Sequence, residues 1–226
     1  MVTRDADLRS ALRHHLGRES VDPSTRVIEE LGIDEGVVRI DVAVVNGQLH
    51  GYEIKSDRDT LDRLPDQASV YSAVFDQVVL VTAARHYAQA RTIVPRWWGL
   101  VVGRIDAHGS IELVRRRSPK LNRRIDPRVL ARLLWRSEAL GLLESRGAAK
   151  GYRSKSREHL YSKLLDLLTL DELRCAVRDT LKQREGWRSG AGRRRGDGAF
   201  RRAATPQGCP TSSSSQRTPP GACRQR

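Results

Sequence analysis

Two carboxylates and one lysine lie close together within residues 39–60. Asp41 is followed after eleven intervening residues by Glu53, and Lys55 comes two residues later. Both acids fall in apolar, β-branched runs that predict two β-strands joined by a tight Asn-Gly turn. Because charged side chains are uncommon in such runs, this spacing marks a candidate site.

The register of the predicted hairpin decides whether the two acids can meet. Alternation along the first strand assigns its side chains to two faces, with Asp41, Ala43 and Val45 on one and Ile40, Val42 and Val44 on the other. A strict two-residue turn would pair Asp41 with Tyr52. One extra residue, either in a three-residue loop with a left-handed Gly47 or in a bulge at Gly51, would pair it with Glu53 instead, at roughly 5 Å between Cβ atoms.

Two facing carboxylates repel each other, and a divalent cation would remove that repulsion. Carboxylate oxygens at this separation suit Mg²⁺, with Mn²⁺ as a substitute. Lys55 shares a face with Glu53, so it could help to deprotonate or orient a metal-bound water, or neutralise charge on a phosphate oxygen. The residues therefore predict metal-dependent hydrolysis of a phosphodiester. The alternative is a surface hairpin on which these charges form only structural ion pairs.

The elements that must position these residues alternate between helix and strand. A helix predicted from Asp5 to Leu16 precedes the hairpin, and two helices, the first within residues 56–64 and the second from Pro65, follow it. A buried strand, a further helix and two more strands come next, in DQVVLVTA, HYAQARTIV, WWGLVVGRID and SIELVRRR. This order predicts an α/β fold with a mixed central sheet flanked by helices and a C-terminal helical extension.

Changes in composition divide the chain into three predicted segments. Residues 1–120 form the α/β domain, residues 121–185 have leucines at helical spacing, and residues 186–226 are rich in Gly, Arg, Ser and Pro. The last segment lacks hydrophobic periodicity, so we expect a disordered basic tail there.

The net charge of +14 favours a polyanionic partner such as nucleic acid. Residues 186–226 contain nine arginines and one aspartate, so +8 of that charge belongs to the tail. Six basic residues also fall within residues 115–124, where they either protect a strand edge or contact phosphates. Since no secretory signal or membrane-spanning run is evident, we expect a cytoplasmic protein with no membrane partner.

The hairpin and the helix after it resemble the PD-(D/E)xK nuclease superfamily, whose restriction endonuclease-like core carries its acids and lysine on a β-hairpin. The resemblance makes Asp41 and Glu53 the two motif acids and Lys55 the motif lysine. Ile40 stands where the name of the superfamily has proline. An upstream acid often joins the metal ligands in that superfamily, and here Glu30 is the candidate.

Two further features extend this resemblance. Glu29 is the substitute for the upstream acid, since spacing does not separate it from its neighbour. Gln67 and Tyr71 match the Q-x-x-x-Y of the RecB-like branch, and residues four apart lie on one helical face, so both could point at the site. Residues 1 to about 183 look like a bacterial family of small nuclease-like proteins.

The resemblance implies a Mg²⁺-dependent deoxyribonuclease that hydrolyses phosphodiester bonds in DNA. It implies metal ligation by Glu30, Asp41 and Glu53, with Lys55 assisting the attacking water. Gln67 and Tyr71 would position the substrate or the lysine. A second interpretation is a nuclease-fold nucleic-acid-binding module or partner subunit with little activity of its own. A homodimer or a larger DNA-processing assembly is compatible with either.

Overall fold

The computed structural model describes residues 2–19 and 22–184, so the predicted basic tail lies outside the described residues. Its helices are α1 (Asp5–Glu19), α2 (Leu64–Ser72), α3 (Tyr87–Ile93), α4 (Pro127–Ala131), α5 (Arg136–Ser145), α6 (Arg157–Leu167) and α7 (Leu170–Gln183). Its strands are β1 (Arg26–Ile33), β2 (Val38–Val45), β3 (Leu49–Lys55), β4 (Gln77–Ala83), β5 (Gly99–Ile105) and β6 (Ile111–Arg117).

The six strands form one mixed sheet in the order β1-β2-β3-β4-β5-β6. β3, β4 and β5 run parallel to one another, whereas β1 with β2, β2 with β3, and β5 with β6 are antiparallel. The predicted α/β fold with a mixed sheet and C-terminal helices is therefore confirmed. β1 was not predicted, because its sequence RVIEELGI breaks strand alternation with two adjacent acids.

Two hydrophobic cores cover the two faces of the sheet. The smaller core packs Leu8, Leu12 and Leu16 of α1 against apolar residues of β2, β3 and β4. The larger core joins the opposite face to α2 and α3 and also to the C-terminal helices, through residues such as Leu160 and Val177. The helical extension therefore packs against the same core as the sheet.

The β2–β3 hairpin has the register that a three-residue loop requires. Val45 pairs with Leu49 and Val42 pairs with Tyr52. The same register therefore places Asp41 level with Glu53. The expectation that Gly47 has a left-handed backbone is wrong, because its φ is not positive. Instead, the Asn46 side chain accepts a hydrogen bond from the Gln48 N–H at 2.8 Å and closes the loop.

Gly51 has a packing role in this hairpin and does not form a bulge. A Cβ atom at Gly51 would lie 2.5 Å from Ile40 Cδ1 and 3.1 Å from the Phe75 ring. The absence of a side chain therefore lets Ile40 of β2 and Phe75, which lies between α2 and β4, approach β3 closely.

The segment between β3 and α2 differs from the prediction. Residues 56–63 form turns, where the sequence predicted a short helix. Ser56 and Asp59 explain the turn, since the Asp59 carboxylate accepts hydrogen bonds from both the N–H and the hydroxyl of Ser56. Pro65 lies in the first turn of α2, as expected. Within the described ranges, no helix has both the length and the apolar character needed to cross a bilayer.

Candidate active site on the β1–β2–β3 strands

Three acids lie level with one another across three neighbouring strands. The β1–β2 register places Glu30 between the Glu29–Val42 and Leu31–Ile40 pairs, opposite Asp41. The β2–β3 register then places Asp41 level with Glu53. The sequence prediction that the hairpin brings the two motif acids together at one level is confirmed.

The side chains at this level do not follow simple alternation, so the predicted faces are wrong in part. Ile40 lies in the larger core together with Ala43 and Val45, whereas strict alternation would place it with Val42. The change of face occurs at Asp41. Its opposite residue on β1 has a left-handed backbone with φ of 56°, which disturbs the pleat of both strands.

Glu53 is the most enclosed of the three acids, with 3% of its surface exposed. Its Oε1 accepts hydrogen bonds from Lys55 Nζ at 2.8 Å and from Gln67 Nε2 at 2.7 Å. Its Oε2 lies 2.9 Å from the Tyr71 hydroxyl. All four predicted residues of this group are thus brought into direct contact.

The hydrogen bonds of the Tyr71 hydroxyl indicate that Glu53 can be protonated and neutral. The Tyr71 hydroxyl has one proton, but it lies 2.7 Å from the Arg39 carbonyl oxygen as well as 2.9 Å from Glu53 Oε2. If Glu53 carries a proton on Oε2, it donates to Tyr71, which in turn donates to Arg39. Burial, then the negative charge of Asp41, raises the pKa of Glu53 from 4.5 to about 7, against the opposing effect of Lys55.

Burial also affects the neighbouring titratable groups. It raises the pKa of Asp41, although a hydrogen bond from the Ile54 N–H and the charge of Arg9 oppose it. Burial and the charge of Glu53 raise the pKa of Tyr71, so its hydroxyl keeps its proton at neutral pH. The tyrosine ring is fixed by a stacked contact with Trp98, 6.1 Å between centroids.

Asp41 and Glu30 belong to a second, more open cluster around Arg9 of α1. Arg9 Nη2 lies 2.7 Å from Asp41 Oδ1 and 3.1 Å from Glu30 Oε1. The other oxygen of Asp41 accepts the Ile54 N–H at 2.7 Å, so a side chain replaces a strand carbonyl there. Glu29, the substitute upstream acid, instead forms an ion pair with Arg13.

Arg9 is the site residue that sequence reasoning missed. It lies one helical turn from Asp5, with which it pairs at 3.2 Å, and that spacing predicts only a local ion pair on a helix. Its contact with Asp41 joins residues 32 positions apart, and a local sequence pattern does not predict such a contact.

The capacity of these residues to hold a cation depends on their present partners. Within residues 2–19 and 22–184, no group of three or more His, Cys, Asp or Glu side chains is arranged to hold a metal ion. The Gln67 Oε1 atom, however, is a buried acceptor with no hydrogen-bond donor. A water held beside Glu53 would supply that donor, which fits a hydrated cation at Asp41 and Glu53.

Comparison with known proteins gives a structural neighbour, a sequence relative and a family match. A protein of unknown function from Silicibacter pomeroyi aligns in structure over 68% of this chain and 98% of its own, with 16% identity and a TM-score of 0.41. Protein cII of Enterobacteria phage P4 is 25% identical over 183 residues, which are 81% of this chain and 68% of that protein. Residues 2–195 match the family described as bacteriophage P4 protein cII. The chain belongs to the bacteriophage P4 protein cII family.

Proposed function

We propose that this protein is a metal-dependent nuclease that hydrolyses phosphodiester bonds in DNA. The observation that carries the proposal is the Glu53 carboxyl group, which is buried and contacted by Lys55, Gln67 and Tyr71. A buried acid with a strongly raised pKa and a buried lysine at 2.8 Å is typical of catalytic sites, where charge is arranged for a reaction.

Asp41 and Glu53 are the residues that would hold Mg²⁺. When bound, the ion would supply an activated water and offset charge on the phosphate. Glu30 remains a predicted third ligand, and Arg9 would have to release Asp41 Oδ1 for the ion to use that oxygen. The raised pKa of Glu53 supports the proposal, because a cation beside the carboxylate relieves the cost of burying its charge.

The remaining residues position the Glu53 carboxyl group and stabilise the charge that develops on the phosphate. Gln67 and Tyr71 hold the Glu53 carboxyl group in one orientation, since each contacts a different oxygen. Lys55 donates from Nζ, and in the proposed reaction it directs that donor to the phosphate oxygen on which negative charge develops. The proposal includes a cytoplasmic location, where DNA and Mg²⁺ are both available.

The test is a cleavage assay on plasmid and single-stranded DNA with Mg²⁺ or Mn²⁺. Wild type should cleave only with metal, and Lys55→Ala should lower the rate at least ~100-fold while changing DNA affinity less than twofold. Arg96→Ala, at an exposed basic residue outside residues 115–124, is the control and should retain the wild-type rate. Thermal unfolding of each variant checks that the fold is intact.

A calorimetric titration completes the test. Glu53→Ala should lose the Mn²⁺ binding that wild type has, since it removes the most buried of the proposed ligands. Absence of metal-dependent cleavage of both DNA forms by the wild type would refute the nuclease proposal.

One observation favours a second candidate function, a nucleic-acid-binding module with little activity of its own. Arg9 already supplies a positive charge to Asp41 and Glu30, so the acids have a counter-ion without a metal. DNA binding by the wild type without metal binding or cleavage would support this second function.

A further inference from the structure

The loop between α5 and α6 is held in a defined shape. Gly147 and Gly151 have φ of 67° and 80°, a backbone region that glycine enters without steric cost. The Arg136 guanidinium donates to the carbonyl oxygens of Arg153 and Lys155. Two turns at glycine and two carbonyl contacts to Arg136 thus define the path of the loop.

This loop carries positive charge only. Residues 146–156 contain four basic side chains and no acid: Arg146, Lys150, Arg153 and Lys155, all exposed, and Arg157 at the start of α6 is a fifth. Arg153 pairs with Glu144. Lys150 and Lys155 form no ion pair with any acid in the described part of the chain, so their ammonium groups face solvent. A cluster of this kind costs electrostatic energy and suits a polyanion.

The loop lies at the same edge of the sheet as the candidate active site. Arg157, which follows the loop, lies 3.5 Å from Glu35 in the turn between β1 and β2. That turn is at the edge where β3 ends with Lys55, since β2 and β3 are antiparallel. Asp41 is three residues from the start of β2, so roughly 10 Å along the strand separates the acids from the turn.

We propose that the α5–α6 loop binds phosphate groups of the nucleic acid whose backbone enters the candidate active site. The inference rests on the proposed function and adds a second contact surface to it. Lys150 and Lys155 contact the phosphates directly, while Arg136 is a positioning residue that holds the loop.

The experiment measures binding of a fluorescein-labelled 30-nucleotide DNA, as single strand and as duplex, in EDTA at several salt concentrations. The Lys150→Ala/Lys155→Ala double variant should bind roughly tenfold more weakly and lower the salt-dependence slope by about 2, one for each lost phosphate contact. Arg136→Gln keeps both lysines but loosens the loop, so it should weaken binding with a smaller change in slope.

The matched control is Arg91→Ala/Arg96→Ala, which removes the same charge near the opposite edge of the sheet. Arg91 is in the last turn of α3, and Arg96 comes just before β5, whose first residues lie at the edge opposite the end of β3 because these strands run parallel. This control should reduce the slope by less than half as much as the loop variant. An equal loss in both double variants would mean that only net charge matters, and would overturn the inference.

Two results separate this inference from the proposed function. If wild type binds both probes and the loop variant binds them equally well, the loop inference is overturned and the proposed function stands. If wild type binds neither probe in EDTA but cleaves DNA with metal, the loop inference is overturned and the proposed function stands; absence of both binding and cleavage overturns both.

Discussion

Glu53 and Glu30 lie at the same level of one sheet, separated by a single strand, yet they have opposite surroundings. Glu53 is 3% exposed and is contacted by one ammonium and two neutral groups. The Glu30 side chain is 40% exposed and lies beside two guanidinium groups, those of Arg9 and Arg39. Glu53 is therefore in a buried environment, whereas Glu30 forms ion pairs that are in contact with water.

The difference shows that the strand register alone does not determine the burial or the partners of an acid. Asp41 lies between the two and belongs to both environments. Its Oδ1 contacts Arg9, and its negative charge raises the pKa of Glu53. An ion that replaced Arg9 at Asp41 would therefore act on the buried acid as well, and the two clusters are electrostatically linked.

The largest effect that we expect is a pH dependence of stability caused by Glu53. Its pKa is about 7 in the folded protein and 4.5 ordinarily, so the folded state binds more protons between these values. The free energy of unfolding should therefore fall as pH rises from 4.5 to 7, by an amount on the order of 3 kcal/mol. Urea unfolding across pH 4.5–7.5 measures this decline, and Glu53→Gln should flatten it.

Glu30→Gln is the matched control for the pH experiment. It removes a carboxylate at the same level of the sheet but leaves the buried acid unchanged, so the decline should persist. A wild-type stability that does not change, or that increases, across this pH window would contradict a protonated Glu53 that donates to Tyr71.

A smaller effect is expected from the cation of the open cluster. Arg9→Gln removes the guanidinium that contacts Asp41 and Glu30, and should lower the free energy of unfolding by about 2 kcal/mol at pH 7. The same change should raise the affinity for Mn²⁺ several-fold, because Arg9 no longer competes for Asp41. Urea unfolding and calorimetric titration measure the two effects.

Arg13→Gln tests whether position on α1 explains the result. Arg13 lies one helical turn from Arg9, is about half exposed and pairs with Glu29. Its loss should cost less than ~1 kcal/mol and leave Mn²⁺ affinity unchanged. An equal Mn²⁺ effect from both variants would show general charge repulsion and no competition at Asp41.

The sequence predicted the parts of the site that depend on local pattern. The spacing of Asp41 and Glu53 around an Asn-Gly turn predicted their register, and the four-residue spacing of Gln67 and Tyr71 predicted a shared helical face. Both follow from fixed strand and helix periods. The α/β order was also predicted, because long apolar runs and turn residues are local signals.

What the sequence did not predict depends on contacts between distant residues. β1 is a strand because it pairs with β2, although its acids obscure the apolar pattern. Arg9 reaches Asp41 because leucines on another face of α1 pack that helix against the sheet. The change of face at Asp41 follows from a backbone irregularity in the neighbouring strand, and alternation within β2 cannot reveal it.

The smallest effect concerns the backbone of Glu30, which has a φ of 56° inside a strand. A residue with a Cβ atom is strained in this left-handed region by roughly 1–2 kcal/mol, and glycine is not. Glu30→Ala and Glu30→Gly both lose the Arg9 contact, so their difference isolates the backbone. Glu30→Gly should be the more stable by about 1 kcal/mol in urea unfolding. At Glu29, where φ is not positive, the order should reverse and alanine should be the more stable. If alanine were also the more stable at position 30, the strand would tolerate an ordinary backbone there. The change of face at Asp41 would then need a cause other than the backbone of Glu30.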